Sequence, residues 1–443
     1  MEINAGDTAW VLTASALVLL MTPGLALFYG GMVRAKSVLN MMMMSFLAMG
    51  VVTILWVAFG YSIAFGDGGN GWVGDLSLTG LSGLIGSVAV NGGAYPIPGL
   101  VFAMFQLMFA IITVALISGA VADRMKFLTW AVFAAVWATL VYFPVAHWVF
   151  DFGGESVGGS GAGWLANLGV LDFAGGTAVH INAGAAGLAL AIVLGRRLGW
   201  PKTSMRPHNL PLVLLGSGLL WFGWFGFNAG SALGANQTAG LAFTNTMVAT
   251  GAGVLGWLVV ERLRDGHATS LGAASGAVAA LVAITPACAF VEPLGAIAIG
   301  VLAGVICAFA VTLKYRLRVD DSLDVVGVHL VGGIIGCLAL GFFATTSVNE
   351  LGKDGLLYGG GWGVLGTQAI GAGAVLAYSF LVTLALAFLL KAIMGIRITP
   401  EQEFAGIDLA AHAESAYDFV SSSGPAAGRA VVPTRPSADS QEA

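Results

Sequence analysis

Apolar residues run along this chain in long, nearly unbroken stretches. They do not follow the 3.6-residue rhythm of a surface helix or the alternation of a half-buried strand. A helix needs about 20 mainly apolar residues to cross the hydrocarbon core of a bilayer. Eleven stretches qualify or nearly so, at approximately 8–30, 39–65, 100–122, 127–150, 176–194, 210–230, 239–261, 269–286, 293–313, 325–345 and 369–394. The eighth is short and rich in Gly and Ala, so its ends are the least sharply marked. The pattern predicts an all-α integral membrane protein with eleven transmembrane helices.

The polar positions between the stretches carry the orientation. Basic residues follow the odd-numbered spans: Arg34 and Lys36, Arg124 and Lys126, Arg196, Arg197, Lys202 and Arg206, Arg262 and Arg264, Lys314, Arg316 and Arg318, then Lys391 and Arg397, with Arg429 and Arg435 in the tail. The even-numbered loops hold only Lys353, so 17 of the 18 Lys and Arg lie on one side. The positive-inside rule makes that side cytoplasmic. The expected topology is N-terminus out and C-terminus in, in the plasma (cytoplasmic) membrane. Residues 1–7 form an outer N-terminus without positive charge, so the first span is expected to be retained rather than cleaved as a signal. Residues 8–394 form the membrane domain, 395–423 an amphipathic cytoplasmic tail, and 424–443, rich in Pro, Ala and Ser, a disordered end.

Composition narrows the class further. Of 443 residues only 9% are charged and 58% are hydrophobic, with a mean hydropathy of +0.89. Soluble domains carry about 25% charged residues. A soluble enzyme, a disordered chain and a nucleic-acid binder are excluded. The 65 Gly suit helices whose backbones approach closely. Cys288, Cys307 and Cys337 have no short spacing and read as small core residues, not as a metal site or disulfide framework. No cofactor is expected.

Only two His sit well inside these stretches, His180 in the fifth and His329 in the tenth. Their helices are five spans apart and therefore run in opposite directions. Asp172 lies eight residues before His180, and Asp321 eight before His329. His180-Ile-Asn-Ala-Gly184-Ala-Ala-Gly187 parallels His329-Leu-Val-Gly-Gly333-Ile-Ile-Gly336. A five-plus-five inverted repeat (about 8–194 and 210–345) with one extra helix at 369–394 is the simplest account, and transporters place their sites at such repeat interfaces near the midplane. At about 1.5 Å per residue each His lies roughly 12 Å along its helix from its Asp. From opposite faces of a core of about 30 Å, both reach the middle. A lone buried His often does no more than hydrogen-bond across helices, but two at matched positions point to function. Asp172 can cap a helix start and also set a negative potential at an outer vestibule.

Phe105 and Phe109 share one face of the third span at i, i+4. The sixth span carries Trp221, Phe222, Trp224, Phe225 and Phe227 before Asn228-Ala-Gly-Ser231. Such aromatics pack or form interfacial belts. The functional alternative is a cation–π site above a constriction, with a hydroxyl such as Ser231 accepting the cation's N–H groups. No span centre carries Lys or Arg, there is no Asp/Glu ladder, and no Thr-Val-Gly-Tyr-Gly filter appears, which argues against anion, divalent-cation and potassium channels. A narrow apolar path crossed by two imidazoles opposes a bare ion. It suits a cation able to give up a proton and cross neutral. Ammonium qualifies and potassium does not, because imidazole both donates and accepts protons.

Four motifs, Thr22-Pro-Gly-Leu-Ala-Leu-Phe-Tyr-Gly-Gly31, Asp172-Phe-Ala-Gly-Gly-Thr-Ala-Val-His180-Ile-Asn-Ala-Gly184, Gly223-Trp-Phe-Gly-Phe-Asn-Ala-Gly-Ser231 and Asp320-Asp-Ser-Leu-Asp-Val-Val-Gly-Val-His329, resemble the Amt/Mep/Rh ammonium transporter family on its Amt side. The likeness covers roughly residues 5–420. It implies an eleven-helix homotrimer with a pore in each subunit and ammonium recruited at an outer site. It further implies a phenylalanine gate and a twin-His pore where ammonia and proton part. By that resemblance Phe109 and Phe227 match the gate, and Phe105, Phe109 and Ser231 match the outer cation site. Asp172 matches the buried carboxylate below it, His180 and His329 the twin His, and Trp224 an aromatic of the lower pore. Many members have Trp within a His-x-Val-Trp-Gly-Gly run where this chain reads His147-Trp-Val-Phe150-Asp-Phe-Gly-Gly. Phe150 aligns with that Trp, while Trp148 or Trp164 could supply the ring instead. The tail from Gly395 to Tyr417 looks like the family's regulatory C-terminus, which implies control on the cytoplasmic face, often by a PII-type signal protein. Two other readings stand beside this one. His180 and His329 could be axial haem ligands of a membrane redox protein, or the chain could sense ammonium while transporting little.

Overall fold

A computed structural model describes residues 2–154, 158–159 and 161–417. The tail segment 424–443, expected to be disordered, lies outside the described residues. Among those described, ten helices are long and apolar enough to cross a membrane: α1 (Ala5–Met32), α2 (Ala35–Phe65), α3 (Gly99–Val121), α4 (Phe127–Phe150), α5 (Gly176–Leu194), α6 (Leu210–Gly230), α7 (Gln237–Asp265), α9 (Pro293–Leu317), α10 (Val326–Phe343) and α11 (Gly363–Ile393). At the eighth place stands α8, Ser270–Ile284, apolar but only 15 residues long. The structure is therefore a multi-pass helical membrane protein. The start of α11 lies six residues before the expected 369, with Gly363-Val-Leu-Gly-Thr-Gln forming its first turns. One feature breaks the all-α pattern: strands β1 (Val88–Val90) and β2 (Ala94–Pro98) form an antiparallel hairpin in the loop before α3. Two short helices, α12 (Pro400–Ala405) and α13 (Ile407–His412), follow in the tail.

Small residues set the helix spacing. Along the α1–α6 seam a methyl group built on Gly216 would lie 2.3 Å from the Phe28 amide nitrogen, and one on Gly223 2.3 Å from Met21 Cγ. Contact at this range is what close helix packing in a bilayer rests on. The α5–α10 crossing is equally tight. A methyl on Gly184 would meet Leu330 at 2.5 Å, one on Gly187 would meet Val325 at 3.1 Å, and one on Gly333 would meet Ile181 at 2.9 Å. Partners thus descend along α10 as numbers rise along α5, so the two helices pass each other antiparallel.

Charged groups at one end of the bundle form a linked set of ion pairs, most of it buried. Arg197 grips Asp320 in a two-pronged contact, Nη2 to Oδ1 at 2.9 Å and Nε to Oδ2 at 3.0 Å, and the Arg197 amide adds a third bond at 2.8 Å. Asp123 joins Arg197 to Arg34, each at 3.3 Å. The tail is stitched onto this layer. Glu403 accepts from Arg397 at 2.7 Å and from the Leu198 amide at 2.6 Å. Asp408 accepts from the Leu39 and Asn40 amides at 3.0 and 2.8 Å. Lys36 donates to the Phe404 carbonyl.

Burial works against the charge on Asp320, yet the Arg197 contact, with Arg124 nearby, holds its carboxyl below the usual carboxylate range. Breaking such a buried pair costs about 3–5 kcal/mol, because the remaining charge is left uncompensated. Asp320→Asn is therefore expected to unfold at a clearly lower temperature at pH 7. Because the folded value lies below the unfolded one, the wild-type contribution is complete above about pH 4 and fades as pH falls through the lowered folded value. Thermal unfolding of the purified protein in detergent from pH 7 to pH 3 checks both. An Asn variant as stable as wild type at pH 7 contradicts this account of the pair.

Candidate functional site

The site is built from two helix starts. Asp172 precedes α5, and its carboxylate accepts four backbone N–H bonds: Gly175 and Gly176 to Oδ1 at 2.8 and 2.7 Å, Thr177 and Ala178 to Oδ2 at 2.8 and 3.1 Å. These are the donors a helix N-terminus leaves without internal partners, and its dipole favours a negative charge there. Burial pushes the Asp172 carboxyl up from its ordinary value, and the four amides oppose that rise. Asp321 does the same before α10, taking the Val325 and Val326 amides at 3.1 and 2.7 Å. Burial and the neighbouring Asp324 raise its pKa, against the pull of Lys314.

Each helix opens with a widened π turn, Gly176–Ile181 in α5 and Val326–Leu330 in α10, and each turn carries the histidine. Such bulges cluster at functional positions because they turn a side chain out of the regular register. The outcome is contact: His180 Nδ1 and His329 Nδ1 are 3.3 Å apart, with ring planes 19° from parallel. One ring must donate and the other accept. Among the described residues nothing pairs with His180 Nε2. The rings border a lumen of about 10 Å³, lined also by Met21, Leu25, Leu220, Trp224 and Phe227. That is about the room of one water-sized molecule. Trp224 lies nearly parallel to His180 at 5.4 Å between centroids. Its Nε1 donates to Thr285 Oγ1 at 2.8 Å.

Above the lumen stands a larger cavity of about 360 Å³, bordered by Gln106, Phe109, Phe150, Phe152, Asp172 and Ser231 among others. Phe109 faces this cavity and Phe227 the lumen, and their rings stack at 4.2 Å and 31°, so the pair is the partition between the two spaces. Ser231 donates its hydroxyl to the Phe227 carbonyl at 2.8 Å, which leaves its lone pairs for an N–H donor.

The nine sequence-derived positions do not all reach these spaces. Phe109, Phe150, Asp172 and Ser231 border the outer cavity; Phe227, Trp224, His180 and His329 border the lumen. Phe105 borders neither. It is buried behind Phe109, at 5.0 Å between centroids, and its ring fills the space where Gly230 lacks a side chain. Of the three candidate rings for the outer site, Phe150 borders the cavity, 6.3 Å from Phe109. Trp148 and Trp164 belong to a separate cluster with Trp72 and Tyr378. The axial-haem alternative has no room, because nitrogens 3.3 Å apart in near-parallel rings leave no gap for iron within a macrocycle.

Reading only two histidines as internal missed a third. His147, inside α4, is fully buried, with Nδ1 3.0 Å from Asp151 Oδ2 and 3.1 Å from the Ala64 carbonyl. Its i, i+4 spacing to Asp151 was the available signal. Gln106 is one turn from Phe102 and could have been placed by helical phase. Thr285 carried no signal, since it follows α8 without a pattern of its own.

The arrangement can bind a cation among aromatic faces, exclude hydrated ions at the phenyl partition, and pass a proton between imidazoles. Asp172→Ala leaves four amides without an acceptor, at a cost of at least about 2 kcal/mol. The expected result is a large loss of folded protein in detergent, with Asp172→Asn intermediate because one oxygen remains. Equal thermal stability of Ala and wild type would show that the cap is dispensable.

Comparison with known proteins follows the same lines. The model of the Ammonium Transporter Family matches residues 9–417. A Mycobacterium tuberculosis (strain H37Rv) protein named ammonium transporter is 60% identical over 95% of this chain and 92% of its own length. One from Bacillus subtilis (strain 168) with the same name is 48% identical over 94% and 99%. Among solved structures, Saccharomyces cerevisiae Mep2 superposes with a TM-score of 0.82 at 36% identity, covering 90% of this chain and 89% of its own.

Proposed function

The chain belongs to the ammonium transporter family, and from that premise we propose a channel-like mechanism rather than enzymatic turnover. Ammonium docks in the outer cavity among Phe109, Phe150 and Ser231, above the buried charge of Asp172. It loses a proton near the Phe109–Phe227 partition. Ammonia then crosses the lumen past His180, His329 and Trp224 into the cytoplasm, while the proton is handed on separately. If both cross, transport is electrogenic.

The observation that carries this reading is the 3.3 Å imidazole contact beside a lumen of about 10 Å³. A space of that size cannot carry an ion with its water shell, and the apolar lining replaces almost none of that shell, so a bare charge faces a high barrier. A neutral molecule of about the size of water faces little. Imidazole is the side chain that can take a proton with one nitrogen and release it with the other. Phe105 supports the site from behind by fixing the Phe109 ring.

The wider reading follows the same premise. The antiparallel passage of α5 and α10, with matched Asp caps and π turns, supports a five-plus-five inverted repeat. α8 would then be the eighth of eleven crossings, and α11 the extra helix. The one-sided basic residues support an outer N-terminus (1–7) and an inner C-terminus, in the plasma membrane. The stitched segment from 395 supports a cytoplasmic regulatory tail, and a PII-type protein is its proposed partner. A homotrimer with one pore per subunit completes the proposal.

Replacing both histidines, His180→Ala with His329→Ala, is expected to abolish ammonium-evoked current in proteoliposomes or its selectivity over potassium. Current of wild-type size, still selective, from a double variant that elutes as the wild type does would remove the proton-relay role.

A further inference from the structure

The aromatic side of the outer cavity is held by a loop that the proposed mechanism does not use. β1 and β2 are joined through Asn91, Gly92 and Gly93, with Asn91 N–H bonded to the Gly93 carbonyl at 2.9 Å. Gly92 and Gly93 have φ of 66° and 148°, values that admit glycine readily and side chains rarely. The turn closes on the chain that leaves α4. Gly92 N–H donates to the Gly153 carbonyl at 2.9 Å and Gly93 N–H to the Gly154 carbonyl at 3.2 Å.

Asn91 reaches further in. Its Nδ2 donates to the Phe150 carbonyl at 2.9 Å, and its Oδ1 accepts from the Phe152 amide at 2.7 Å. Asn91 is 5% exposed, and Asn91, Phe150 and Phe152 all border the cavity. Phe150 is the last residue of α4, so its carbonyl is one that the helix itself leaves without a partner. A carboxamide satisfies both backbone groups at once; a carboxylate cannot donate, and a hydroxyl is too short to span both.

We propose that Asn91 is a positioning residue for the outer cation site, setting where the Phe150 ring stands relative to Phe109 by clamping the backbone on either side of Asp151. The proposal rests on the reading of Phe150 as part of the ammonium-recruiting site. Cation–π attraction depends on the cation lying over a ring face, so a ring that wanders loses affinity without blocking the path beyond it. A purely structural hairpin would instead change the amount of folded protein and leave the concentration dependence alone.

The test is an ammonium concentration series of evoked current in proteoliposomes. It compares wild type, Asn91→Ala, Asn91→Leu, Phe150→Leu and the Asn91→Ala/Phe150→Leu double variant. Uncharged replacements are used because Asn91→Asp would add an attractive charge to a cation site. Both Asn91 variants are expected to raise the half-saturating ammonium concentration about three- to tenfold. Maximal current per folded protein is expected to change by less than about twofold, since the lumen is untouched. The double variant is expected to be no worse than Phe150→Leu alone, because a clamp acting through that ring has nothing left to position. Wild-type half-saturation in the Asn91 variants, or shifts that multiply in the double variant, overturns the clamp. An unshifted Phe150→Leu overturns the outer-site reading itself, and the clamp with it.

Discussion

Two buried carboxylates hold the centre of this molecule together. Hydrocarbon offers no water to the free N–H groups at a helix start, so each such start must bring its own acceptor. Asp172 supplies one for α5 and Asp321 one for α10. Each fixes where its helix begins, and the π turn that follows then fixes where its histidine points. The 3.3 Å imidazole contact is the product of those two placements and of glycines that let α5 and α10 touch. None of the three works alone. A cap without the close crossing leaves the rings apart, and a close crossing without the caps leaves buried amides with no acceptor.

The spaces around that contact are graded in a way that matches the cost of charge. The outer cavity is roomy, aromatic and partly polar, with a carboxylate whose charge is spread over four amides. Next comes the phenyl stack, where nothing replaces a hydration shell. The lumen beyond is about 10 Å³ and offers imidazole nitrogens among apolar walls. On the proposed mechanism, binding is favourable where a cation can still be solvated, and passage opens only after the charge has been set down. On the proposed mechanism, discrimination against potassium needs no filter of carbonyls. It follows from the inability of that ion to lose a proton.

Stability and function draw on the same economy of polar groups. Buried Arg197, Asp320 and Asp123 and half-buried Arg34 are linked by ion pairs, and through Glu403 and Asp408 the tail is tied into that layer. Ile396, Ile398 and Ile407 are buried as well, so the tail is held by apolar contacts together with charge pairs and backbone amides. The hairpin at the other end of the bundle does comparable work through Asn91, where a single carboxamide couples a loop to the end of a helix.

Much of this was legible in the residues. Span positions followed from the length of apolar runs, since the bilayer imposes one thickness on every crossing helix. Eight of the nine proposed site residues border the cavity or the lumen; the two intramembrane His and the helix-capping Asp stood out by type and spacing, whereas the roles of Phe109, Phe150, Trp224, Phe227 and Ser231 came from the resemblance of their motifs. What the sequence alone determined was the set of groups carried by the apolar spans and the grouping of its basic residues in alternate loops. Whether Phe105 or Phe109 meets the opening, which of Phe150, Trp148 and Trp164 borders it, that His147 pairs with Asp151, and that a hairpin reaches the outer ring were decided by tertiary structure. Those outcomes depend on the rotation of one helix against another and on π turns that shift the phase of a helix by a fraction of a turn. One-dimensional spacing specifies a face, but only packing against a neighbour specifies what that face touches.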